Sequence, residues 1–159
     1  MMLNAFSVMF LYSQLITSNM TEKGYIFLPK TADAKFQAFG MTLEEALSNA
    51  AYAMFSLMVD EKVAEKEERN INLSAGDIEH LTVKFLEELL FLIDSESFIL
   101  SRIKSVKVEK KGRYLLSATI RGDNLKNYRF REVVKAVTFN ELKISEEKGR
   151  ATIQMVLDT

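Results

Sequence analysis

After Asp94 the apolar residues of this chain keep to a period of two, and that final change of spacing limits the fold more than any single motif. Before it, two segments carry apolar side chains at helical intervals. In MTLEEALSNAAYAMFSLM, Leu43, Ala46, Leu47, Ala50, Met54, Phe55 and Met58 share one face, as a 3.6-residue period requires. Thr42 and Glu45 open that segment as a capping-box pair, able to satisfy N–H groups that a helix start leaves open. In DIEHLTVKFLEELLFLID, Ile78, Leu81, Phe85, Leu89 and Leu92 form a second stripe, broadened by Leu86, Leu90 and Ile93, with Asp77 as N-cap. After Asp94 the period becomes two. RIKSVKVEKK and RYLLSATIRG meet at Lys111-Gly112 as a hairpin, and VVKAVTFNELKIS and ATIQMVLD read as two further strands around EEKGR.

Upstream of the first helix, residues 24–28 (GYIFL) and 34–39 (AKFQAF) read as short strands. The chain's single proline, Pro29, opens the link between them, where its fixed backbone and missing donor cost nothing. VDEKVAEKEERNINLSA is a charged turn entering a strand that ends near Leu73, and GDNLKNYRFR is a polar connection. The charges in EKEER alternate in sign, which marks a solvated edge and not a nucleic-acid patch. The total is two helices, both in the first half of the chain, and about seven strands. It predicts an α+β two-layer domain, with a largely antiparallel or mixed sheet of six to seven strands and both helices packed on one face. No GxGxxG or GxxxxGK[ST] occurs, so a nucleotide-binding α/β fold is excluded.

Composition removes several chemistries. The chain has no cysteine, and with it go disulfides, thiolate nucleophiles and thiolate zinc sites; this fits a cytoplasmic protein. His80 is the one histidine and reads as a helix-surface residue, which leaves little scope for imidazole catalysis. Lys+Arg (21) and Asp+Glu (22) nearly cancel, against the basic excess of a phosphate-tracking protein, so tight direct nucleic-acid binding is not expected. The first 20 residues carry no charge, yet polar side chains interrupt their apolar run and no basic residue precedes it. That pattern fits neither a secretory signal nor a membrane span. We read residues 1–22 as an N-terminal extension outside the core fold, with Met20 as an alternative initiator, and residues 23–159 as one domain.

Three residues stand apart from the apolar pattern. Asp33 lies in the tight link between two strands, Asp158 directly follows the apolar strand ATIQMVL, and Thr159 carries the terminal carboxylate. Brought together, they would offer hard oxygen ligands suited to Ca²⁺, Mg²⁺ or Mn²⁺. On spacing alone, a turn acid and a frayed end remain the commoner reading.

A resemblance bears on that choice. LPKTADAKFQAFGMTLEEALSNAAYAMFSLMVD resembles the opening of the archease family, and LTVKFLEELLFLID its second helix. VVKAVTFNELKI is similar to the family's block around K-A-(V/L)-T, and ATIQMVLDT to its terminal strand. Together these pieces span roughly residues 23–159 in order. The resemblance implies a protein co-factor, not a stand-alone enzyme. Archeases assist RtcB-type RNA ligases, promoting their guanylylation and multiple turnover in tRNA splicing and RNA repair. It also implies a divalent-metal site at Asp33, Asp158 and the Thr159 carboxylate, with Lys135 taking part in ligase activation. Lys30 and Asn140 stand where the family has histidines, beside the implied site and not among its ligands. Lys30 is expected to pair with Asp33 and weaken cation binding. A chaperone-like adaptor and a metal-dependent phosphoester hydrolase are the alternative readings.

Overall fold

The structure, a computed structural model, describes residues 4–159. Three helices and eight strands follow in the order α1 (Ala5–Lys23), β1 (Tyr25–Leu28), β2 (Ala34–Gly40), α2 (Leu43–Met58), β3 (Glu67–Ala75), α3 (Ile78–Glu96), β4 (Phe98–Lys111), β5 (Arg113–Asn124), β6 (Ala136–Val137), β7 (Lys143–Glu147) and β8 (Arg150–Asp158). A single 3₁₀ turn, Leu125–Asn127, follows β5.

The α+β class expected from the change of period is what the chain adopts. The strands form two antiparallel sheets and not one. The first has the order β1-β2-β8-β6, with β7 also on β8; the second has the order β3-β5-β4. The reason lies in α2, which buries Ala46, Leu47, Ala50, Ala51, Ala53, Met54 and Met58. Those positions cover far more than a 100° stripe, so the helix needs cover from two sides. It packs on β2 and β8 of one sheet and on β4 of the other, while α3 lies against β3, β4, β5 and β6. The helix pair thus joins the sheets, and Phe36, Met54, Phe85, Phe98 and Ile120 meet in a shared core.

Local signals account for the helix starts. Glu45 donates its N–H to Thr42 Oγ1 at 3.2 Å, while the Glu45 carboxylate accepts from the Met41 N–H at 2.9 Å. The reciprocal half of the capping box therefore reaches one residue further back than the usual pattern. Asp77 caps α3 by accepting from the His80 N–H at 2.8 Å. At the other end of α3, Ser97 takes a left-handed φ of 53° and closes the helix onto Ile93 and Leu92.

Two strand expectations need correction. β3 continues past Leu73 to Ala75. VVKAVTFNELKIS is not one strand: it splits into β6 and β7, and both pair with the same edge of β8. Val137 faces Leu157 and Lys143 faces Gln154, so residues 138–142 must bulge away between these points. Thr138 anchors the bulge by donating its hydroxyl to the Val156 carbonyl at 2.7 Å, and Glu141 turns it with a φ of 53°.

α1 carries exposed Phe6, Met9, Phe10, Leu11 and Leu15 and touches β1. Tyr12 and Leu15 border a cleft of about 630 Å³ shared with β1 and residues 59–61. No described helix is long and apolar enough to cross a membrane. Replacing Thr42 by alanine removes the α2 cap and should lower unfolding free energy by about 0.5–2 kcal/mol. Urea denaturation should show this as a lower midpoint at unchanged slope.

Candidate functional site

The site grows from the pairing of β2 with β8. Seven residue pairs run from Gly40 opposite Ala151 to Ala34 opposite Leu157. Two residues beyond, the two segments are still held: the Thr159 hydroxyl donates to the Ala32 carbonyl at 3.2 Å. Asp33 and Asp158 lie between these two tie points and are therefore neighbours across the strand pair. On the other side of β8, the Lys135 N–H donates to the Asp158 carbonyl at 2.7 Å, and Ala136 pairs with Asp158. Three segments distant in sequence thus meet at one sheet end: the 29–33 link, residue 135, and the last two residues.

Backbone geometry fixes the link. Ala32 has a φ of 70°, a left-handed value uncommon for a residue with a Cβ. This turn follows Pro29 and delivers Asp33 into the start of β2. Asp33 and Thr159 are half-buried, while Asp158, Lys135 and Asn140 are exposed. Among the described residues, no three His, Cys, Asp or Glu side chains cluster closely enough to form a metal cage. A cation here would have to be held by two carboxylates supplemented by main-chain oxygen. The donors are all hard oxygens, which fits the alkaline-earth and manganese preference and excludes a zinc-like N/S set.

Lys135 borders a small cavity of about 250 Å³ lined by Met58, Leu90, Ile93 and Val133, with Asp94 at its rim. Asn140 donates its N–H to Thr138 Oγ1 at 3.3 Å and so sits in the bulge beside the site. His80 is held by Asp77, with Nδ1 2.8 Å from Oδ1, and its ring centre lies 5.0 Å from that of Phe139. It is a helix-surface residue, as its sequence context indicated.

The expected pairing of Lys30 with Asp33 is not what forms. Lys30 Nζ lies 3.0 Å from Glu141 Oε2, and Lys35 Nζ lies 3.1 Å from Glu141 Oε1. Each ammonium takes one oxygen of the same carboxylate. Sequence reading missed both Lys35 and Glu141, because nothing in FNELK signals a turn at positive φ that would bring Glu141 across to β2.

Hydrogen bonds from Lys30 and then Lys35 hold the Glu141 carboxyl below its ordinary pKa. A depressed folded-state value means that this contribution to stability is complete above the ordinary glutamate range. It is lost as pH falls through the lowered value. Glu141→Gln should therefore flatten the acid limb of the stability curve, read as thermal midpoint against pH, and leave the neutral-to-alkaline limb parallel to wild type.

Residues 25–159 match the model of the Archease protein family. The chain is 40% identical over 139 residues to the protein archease of Methanothermobacter thermautotrophicus, covering 86% of this chain and 99% of that protein. It is 36% identical over 140 residues to the Methanosarcina mazei protein archease, covering 86% and 96%. Among solved structures, the solution structure of Methanobacterium thermoautotrophicum protein 1598 superposes with a TM-score of 0.76 at 38% identity, covering 86% of this chain and 99% of that one. The crystal structure of a Thermotoga maritima protein described as "an archease, possible chaperone" shares the fold at a TM-score of 0.55, 21% identity, and coverage of 83% and 94%. With the family model matched over most of its length and these relatives alongside, this chain belongs to the archease family.

Proposed function

We propose that this protein activates an RtcB-type RNA ligase and has no turnover of its own. In this reading it promotes guanylylation of the ligase and its release for further cycles in tRNA splicing and RNA repair. The working unit is residues 23–159, with residues 1–22 an addition to it. The observation that carries the reading is the meeting of Asp33, Asp158 and Thr159 at one sheet end, where the backbone is tied on both sides of β8.

Rigid strands hold this end, which suits a group that must enter another protein's pocket without rearranging. Asp33 and Asp158 would hold a divalent ion through their side chains, and Thr159 through its terminal carboxylate. When bound, that ion would supply positive charge for phosphate or nucleotide oxygens. Lys135, anchored by its own N–H to the Asp158 carbonyl, would place a second positive charge at the same end for phosphate contact. The near-balanced charge of the chain fits a partner protein better than extended contact with RNA. The description of the T. maritima relative as a possible chaperone also points to action on a protein.

The test is a multiple-turnover ligation assay with a cognate RtcB-type ligase, RNA ends bearing 2′,3′-cyclic phosphate and 5′-hydroxyl, and excess substrate. Wild-type protein should raise turnover beyond one cycle, and Asp33→Ala and Asp158→Ala should each abolish most of that gain. Adding residues after Thr159 should do the same by removing the carboxylate. Normal stimulation by the extended protein would rule out the terminal carboxylate, and no stimulation by wild type would rule out the ligase reading. Stimulation that is indifferent to both aspartates would leave an adaptor role through another surface.

A further inference from the structure

We infer that Glu141 is an internal counter-ion for the site: by engaging Lys30 and Lys35 it keeps both ammonium groups off Asp33 and Asp158, leaving these carboxylates open to a cation. The inference rests on the cation-presenting reading above and extends it to a residue outside the acid pair. Glu141 acts through the lysines, and so is a positioning residue.

On the β2 side of the site two lysines stand near Asp33, with Lys135 on the other side of Asp158. Lys30 precedes Asp33 by three residues in the same tight link, and Lys35 follows it by two, in β2. Residues two apart along an extended strand share a face. A lysine ammonium on its four-carbon stem can swing to a neighbouring carboxylate. Both ammonium groups are instead committed to Glu141, one to each carboxylate oxygen, at 3.0 and 3.1 Å. The lysine side chains are 29% and 20% exposed, and the Glu141 side chain that bridges them is 44% exposed.

Glu141 is built into position. Its φ of 53° is uncommon for a residue with a side chain, and the fold holds it there by several bonds. Gln154 Nε2 donates to the Glu141 carbonyl at 2.9 Å, and Gln154 is itself buried. Gln154 Oε1 accepts from Gln37 Nε2 at 3.0 Å, which ties the arrangement back to β2. Leu142 closes the turn with an N–H bond to the Phe139 carbonyl at 3.2 Å. A polar column thus runs from β2 through β8 to the bulge, with the Glu141 carboxylate at its head.

A plain mechanical latch would make a different prediction from a counter-ion. If Glu141 only fastened the bulge to β2, removing the lysines as well would leave the fastening lost. If Glu141 sequesters charge, removing the lysines should repair the damage done by removing Glu141.

Mn²⁺ titrated into the full chain and followed by calorimetry tells these apart. Wild type, Glu141→Gln, and the triple variant Lys30→Gln/Lys35→Gln/Glu141→Gln are compared, with circular dichroism as a check on folding. Glu141→Gln should weaken Mn²⁺ binding by roughly thirtyfold, the effect of one unit charge about 4 Å from a divalent ion in water. The triple variant should return to within about twofold of wild type. Unchanged affinity in Glu141→Gln, or no recovery in the triple variant, would overturn the inference. If wild type binds no Mn²⁺, the metal part of the proposed function fails, and the same three proteins are compared in the ligation assay. There, loss of stimulation in Glu141→Gln with recovery in the triple variant upholds the counter-ion. Equal stimulation by all three, or loss in both variants, refutes it.

Discussion

Everything at the candidate site depends on the register of β2 against β8. β8 is central in its sheet, with β2 on one side and β6 and β7 on the other. Six of its residues in near succession, Ala151 and Ile153 to Leu157, are buried. A one-residue slip would turn every side chain of the strand to the opposite face and break the fit of Phe36, Ala38, Ile153 and Met155. The apolar core therefore sets the register, and the register sets which residue stands beside which at the polar end. Asp33 comes to neighbour Asp158 because Phe36 and Ala38 must pack, not because the two acids attract. Two carboxylates side by side repel, and the free energy that holds them together comes from the strand pair below them.

The same strand explains the bulge that carries Asn140 and Glu141. Between Val137 and Lys143 the chain spends five residues where β8 offers two, Met155 and Val156. The surplus must leave the sheet plane. Thr138 keeps the exit local by bonding the Val156 carbonyl, and Gln154 keeps the return local by bonding the Glu141 carbonyl. In the bulge, the left-handed turn at Glu141 accompanies a carboxylate that bridges Lys30 and Lys35, so a residue from one side of β8 pairs with lysines on the other.

Much of this was legible in the residues. The positions of α2 and α3, the Asp77 cap, the β4–β5 hairpin and the two acids at strand ends follow from period, cap chemistry and glycine placement, each local in sequence, whereas helix α1 was not read as one of the fold's helices. The division into two sheets did not follow, although Ala51 and Ala53 carried a trace of it. Small residues off the main stripe mean that a helix is approached from a second side, but alanine is also the commonest helix former, so the trace is ambiguous. The split of VVKAVTFNELKIS escaped for a different reason. Its apolar alternation is broken only by one extra polar residue at Asn140-Glu141, an interruption a bulged strand also tolerates, and the left-handed residue at the turn is a glutamate, not a glycine. The partner of Lys30 lies 111 residues away. A neighbour in sequence, Asp33, was the natural candidate until three-dimensional pairing supplied a better one.

The distribution of charge matters more here than its sum. A net charge of −1 describes a protein with almost no field at long range, where salt screens interactions beyond about 8 Å in any case. At the end of β8 the balance is local. Asp158 is exposed and Asp33 half-buried, and Lys30 and Lys35 are tied to Glu141. An approaching partner would meet the acids as a negative tip, while a more distant observer would meet a neutral surface. Such a surface gives little electrostatic attraction during diffusion and strong discrimination on contact. If the proposed site meets a partner, its selectivity would be a short-range property, set by the few charged groups at the close of one strand.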